Sequence, residues 1–188
     1  MGNFDSLKKE IEKILQKSPL KFELVHSELT LKYVLKLKPD ADEALRIAAL
    51  AHDFERGITG ITEKDIKDFS SDLVKFKKEH GIRSAKFVSE LMKKNDYDEN
   101  TIIKTAKLIE NHEFGGDEET NILVDADSLA YFEYNTPFTL ERMGVERTKN
   151  KIKFMYKRMS EKAKRIVHQL SFKTKEINEL FQEAISEI

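Results

Sequence analysis

An imidazole and a carboxylate stand side by side at His52-Asp53, where the apolar run Ala44-Leu45-Arg46-Ile47-Ala48-Ala49-Leu50-Ala51 closes. Neither folding nor solubility asks for that pair there. As a helix the run is buried, and its last turn carries both groups to the edge of the core. Adjacent helical residues diverge by about 100°, yet both can reach one cation beside the helix end. A His suits the negative end of the helix dipole; an Asp does not, unless a cation compensates it. His26 precedes the pair, and Asp125-Ala126-Asp127 follows much later. His26, His52, Asp53 and one late Asp together make a mixed nitrogen/oxygen donor set. By ligand softness it suits Mn²⁺, Fe²⁺, Co²⁺, Ni²⁺ or Zn²⁺, and Mg²⁺ less well because of the imidazoles.

Such a set needs several elements to converge, and helix bundles commonly build metal sites this way. The 188 residues suit one domain, 1–188, with 39% apolar and 36% charged residues. Only 7 Gly and 3 Pro interrupt the chain, and Lys, Glu, Leu and Ile abound, which favours helix over sheet. Apolar spacing predicts helices over 5–17, 20–37, 41–54, 99–112, 119–134, 145–170 and 173–186. Residues 71–78 and 80–94 form one helix or two, with Gly81 weakening the middle, and a loop is expected around Pro137. No segment alternates polar and apolar residues, so the expected class is all-α. Cys is absent, so any metal must use His, Asp and Glu. No run could span a bilayer or act as a signal peptide, and the expected location is cytoplasmic.

The order His26 … His52-Asp53 … Asp127 resembles the signature of the HD superfamily of metal-dependent phosphohydrolases, in particular its small single-domain members. The segments LVHSELTLKYVLKL, ALRIAALAHDFERG, EHGIRSAKFVSELMKKNDYDENTIIKTAKLIENHE and ILVDADSLAYFE are similar to successive helices of that family. The likeness covers about residues 20–135, with the helices of 145–188 completing an HD-domain-like helical bundle. It implies His26, His52, Asp53 and Asp127 as metal ligands, the last because Ala126-Asp127-Ser128-Leu129 matches the family's Ala-Asp-x-Leu text. It implies hydrolysis of a small phosphorylated molecule, with a nucleotide the first expectation. The metal would lower the pKa of bound water from about 15.7 toward neutrality and polarise a phosphoryl oxygen. Asp53 would orient that water, Glu55 would assist proton transfer, and Arg56 would offer its planar fork to phosphate. His80 and His112 match positions where relatives carry further pocket histidines, for a second metal, the phosphate or a bridging water. A mononuclear site is expected.

Plainer explanations compete with each of these residues. A His on an apolar helix face is commonly a hydrogen-bonded core residue; His80 could be exposed, and His112 could satisfy carbonyls at a helix end. His168 lies outside the likeness and is read as structural. Asp125 could be a surface carboxylate or could orient a ligand. From Arg147 to Arg165 nine Lys/Arg face one acidic residue, whereas Glu110 to Asp127 holds seven acidic residues and no Lys or Arg. The basic stretch reads first as a solvated face; the sharper expectation is that Arg147, Lys151 or Lys153 leans over the site and holds phosphate. The alternatives to an enzyme are a metal-binding, nucleotide-sensing module and, least favoured, a nucleic-acid-binding helical protein. No membrane partner is expected.

Overall fold

The computed structural model describes residues 2–66, 69–172 and 174–188, and every regular element among them is helical. The elements are α1 (Phe4–Leu15), α2 (Glu23–Leu37), α3 (Glu43–Ala51), the single turn α4 (Arg56–Thr59), α5 (Phe69–Lys94), α6 (Glu99–Asn111), α7 (Glu118–Ala130), α8 (Thr136–Lys157), α9 (Glu161–Val167) and α10 (Lys175–Ser186). The all-α expectation holds. No described helix is long and apolar enough to cross a membrane.

The apolar run sets the centre. From Ala44 to Ala51 every residue of α3 except Arg46 is buried, so the helix needs apolar neighbours on all sides. It has them in α1, α2, α6 and α7. Asp42 caps its start by accepting from the Leu45 amide, and Asp98 and Asp117 cap α6 and α7 in the same way. The end of α3 therefore opens among neighbouring helices. Residues 71–94 lie in one helix, α5. Gly81 lets it approach α6: a Cβ there would lie 2.8 Å from the Glu110 carbonyl oxygen, and α5 and α6 pack along their lengths.

Two expectations fail in the C-terminal third. No loop forms around Pro137. A π-helical turn, Tyr131–Asn135, joins α7 directly to α8, and Pro137 falls in the first turn of α8, where its missing N–H costs nothing. Nor is 145–170 one helix. Gly144, at φ 76°, breaks α8 before that span begins, and Ser160 then stops the chain and caps α9. Ser160 also donates its N–H and Oγ–H to Asp125, so the break is anchored to α7. The two segments of α8 become walls over the open end of the bundle.

Candidate metal centre

Three helices deliver the four predicted ligands to one place. His26 comes from α2, His52 and Asp53 from the end of α3, and Asp127 from α7; all four are buried. His26 Nε2 lies 3.0 Å from Asp127 Oδ1 and 3.1 Å from His52 Nε2. His52 Nε2 lies 3.7 Å from Asp127 Oδ1 and 3.6 Å from Asp53 Oδ2. A second group stands beside the first. His80, from α5, places Nε2 2.8 Å from Asp53 Oδ1, and His112, at the end of α6, lies 4.0 Å from the same oxygen. His26, His52 and Asp127 could hold one ion, and Asp53, His80 and His112 another. Two groups that could each hold an ion thus stand side by side, beyond the single site expected from the sequence, and Asp53 turns one oxygen to each.

His52 and His112 are both C-caps, and each donates its Nδ1 proton to the carbonyl three residues back, Ala49 O at 3.0 Å and Ile109 O at 2.7 Å. Helix ends leave such carbonyls without partners. Satisfying them fixes the tautomer and leaves the Nε2 lone pair facing the centre, as a metal ligand requires. His80 Nδ1 is held at 2.8 Å by Glu55 Oε1, and Glu55 is itself gripped by Arg83. Glu55 is fully buried behind His80. This fits orienting an imidazole better than the proton transfer expected of it.

The donor set fits a cation on its own chemistry. His52 Nε2 and Asp127 Oδ1 are both acceptors, and His26 Nε2 is pressed between them; only a proton or a metal reconciles the three. His26 Nδ1 is buried without a partner. Protonation states agree for two of the four rings. Burial lowers the pKa of His52, and pushes His112 down to about 4, so both rings are neutral near pH 7. Burial is outweighed at His26 by Asp127 and at His80 by Asp53 and Glu55, which raise both, so these two must give up a proton to ligate. Burial alone would raise Asp53 and Asp127, but Arg56 beside the first and Arg158 beside the second hold both well below the ordinary range. Neutral imidazoles and ionised carboxylates are the forms that bind metal.

Around the ligands runs a ring of ion pairs that the sequence did not announce. Arg56 bridges Asp53 and buried Glu23, the latter at 2.9 Å. Arg158 bridges Asp127 and Glu113, the latter at 2.9 Å. Lys77 reaches Glu113 at 2.7 Å, and Lys151 reaches Glu63 at 3.0 Å. Residues of this ring line a cavity of about 700 Å³, including the part open to solvent, that also exposes His26, Asp53, His112 and Asp127. The other basic candidates separate. Lys151 lies on that cavity, and Arg147 lines a smaller adjoining hollow. Lys153 pairs with Glu187 of the C-terminal segment and lines neither, which removes the reason to expect phosphate contact from it. Arg142, missed in the sequence, lines the main cavity without an ion pair among the described residues.

The model of the family described as "Domain of unknown function (DUF4202)" matches residues 4–180. The chain belongs to that family. The matched span includes every ligand candidate and the ring of ion pairs. The chain matches none of the curated proteins and none of the solved structures it was compared with.

Proposed function

We propose that this DUF4202 domain is a metal-dependent phosphohydrolase of the HD type that acts on a small phosphorylated molecule, with a nucleotide as the preferred class. The observation that carries the reading is the convergence of His26, His52, Asp53 and Asp127, with the His52 tautomer fixed for ligation, beside a cavity lined by Arg56, Lys77, Lys151 and Arg142. A divalent ion bound there supplies Lewis-acid polarisation of the phosphoryl group and a nucleophile at neutral pH. Asp53 is shared between both ligand groups and sets their spacing. The cations supply what a phosphate needs over a floor of carboxylates. Arg56, Lys77 and Lys151 are already engaged by acids, which holds them in place, whereas Arg142 has its charge to give. The buried floor also limits access of bulk water to the reacting atoms.

The test is release of inorganic phosphate from a panel of nucleotides, sugar phosphates and p-nitrophenyl phosphate, with Mn²⁺ or Co²⁺ added to metal-stripped protein. Metal-dependent release supports the reading. Arg142→Ala should raise KM about ten- to a hundredfold, the worth of one charge-assisted contact. Tight nucleotide binding with no turnover by any metal would favour the sensing module instead.

A further inference from the structure

The cavity has a second polar surface that neither the ligands nor the ring of ion pairs uses. Tyr131, Asn135 and Thr139 follow Asp127 at intervals of four, and all three line the cavity. In an α-helix a step of four residues advances about 6 Å and drifts about 40° around the axis, so a stripe of fours normally wanders off its face. Here the wider π-helical turn Tyr131–Asn135 winds less per residue and takes back part of that drift. The stripe thus leads from a metal ligand outward along one wall.

Two of its members are unsatisfied. Tyr131 is 2% exposed and Asn135 is 5% exposed. Tyr131 Oη and Asn135 Oδ1 are both buried and have no hydrogen-bond partner. Thr136 and Thr139 donate to the carbonyls of Tyr131 and Asn135; their oxygens stand near enough to the Tyr131 phenol to ease its ionisation slightly, but neither makes a hydrogen bond to Oη. An unpaired buried polar atom costs about 1–3 kcal/mol, and two on one turn of a cavity wall ask for a ligand. Burial pushes the Tyr131 phenol up to about 12, so it keeps its proton and can donate. The same cavity is also lined by the apolar side chains of Phe22 and Met143, and Phe22 is backed by Phe138 at 5.4 Å between ring centroids. A flat heterocycle with polar atoms on its edge suits an apolar face beside a carboxamide and a hydroxyl.

We infer that Tyr131 and Asn135, set on the π-helical turn, form the subsite that reads the nucleobase of a nucleoside monophosphate whose phosphate lies at the metal centre. The inference rests on the phosphohydrolase reading for the phosphate end only; the unpartnered atoms are independent of it. Tyr131 and Asn135 are specificity residues, and they do not touch the reacting phosphorus.

The experiment compares wild type with Tyr131→Phe and Asn135→Leu, using the four ribonucleoside 5′-monophosphates, ribose 5-phosphate and p-nitrophenyl phosphate. The ratio of kcat/KM for the preferred nucleotide to that for p-nitrophenyl phosphate should fall at least about tenfold in each variant. Ligand-free Tyr131→Phe should also melt about 2–4 °C higher, because it removes an unsatisfied hydroxyl. An unchanged ratio in both variants overturns the subsite, and so does a preference of wild type for ribose 5-phosphate over every nucleotide. If wild type releases phosphate from none of these esters with any metal, the hydrolase reading fails by itself, and the subsite is then judged by calorimetric binding of the nucleotides. Binding at least about tenfold weaker in the variants sustains it. Equal affinity, or none in wild type, ends it.

Discussion

Asp53 is the residue on which the centre turns, because it offers one carboxylate oxygen to His52 and His26 and the other to His80 and His112. The acidic pair further along the chain divides labour more simply. Asp127 Oδ1 lies within 3.0 Å of His26, whereas Asp125 accepts from the Ser160 amide at 2.7 Å and from its hydroxyl. Asp127→Ala should therefore lose the ion held with His26 and His52, and Asp125→Ala should keep it while costing about 1–3 kcal/mol through the unmade bonds at Ser160. Metal titration and chemical denaturation check the two halves separately, and the reverse pattern would show that the wrong carboxylate has been assigned. This division was legible in the sequence, since the Ala-Asp-x-Leu text picked Asp127. Arg158, Glu113, Glu23 and Lys77 were not legible. A sequence shows charge but not partner, and Arg158 stood inside a basic stretch that read as a solvated face. The nearest hint was helical spacing: Glu23 lies three residues before His26, on the same side of α2, and a buried acid there requires a cation.

At the scale of elements, the second ligand group depends on how closely α5 and α6 approach. His80 and His112 have ring centroids 5.4 Å apart, and Gly81 beside the first sits against the backbone of Glu110, two residues before the second. Gly81→Ala should wedge the helices apart, with a loss of about 1–3 kcal/mol from overpacking. It should also lower occupancy by a second ion more than by the first, since His26, His52 and Asp127 lie on α2, α3 and α7. Equal loss of both ions, or of neither, would contradict this assignment. The sequence suggested that Gly81 weakens a helix; the structure gives it a packing role instead, which no single-helix pattern can display. The π-helical turn was likewise hidden. Pro137 looked like a loop signal because a proline in the first turn of a helix and one in a loop are alike in sequence.

For the molecule as a whole, the same ion pairs that frame the cavity tie distant segments together. Glu63, between α4 and α5, meets Lys151 of α8 at 3.0 Å and Lys77 of α5 at 3.8 Å. Burial would raise its pKa, but these cations and Arg56 outweigh it and bring it down to about 2. The ordinary value is 4.5, so between the two values the unfolded chain binds more protons. The stabilisation is complete above about pH 4.5 and is lost as pH falls through about 2. Glu63→Gln should cost about 1–3 kcal/mol at pH 7, and its deficit against wild type should close on acidification toward pH 2. A deficit that stays constant with pH would mean that charge is not what Glu63 contributes. The helical class and the order of the ligand helices were readable from periodicity and caps. The cavity walls were not, because they depend on where α8 breaks and what Ser160 is anchored to.

The central claim is that these side chains hold a transition-metal ion, and elemental analysis tests it most directly. Wild-type protein and Asp53→Ala are each loaded with Mn²⁺ or Co²⁺, desalted and measured for metal per chain, with circular dichroism confirming that both are helical. We expect about one to two ions per wild-type chain and almost none in the variant. A wild-type chain that retains no stoichiometric metal, or an Asp53→Ala chain that retains as much as wild type, would contradict it.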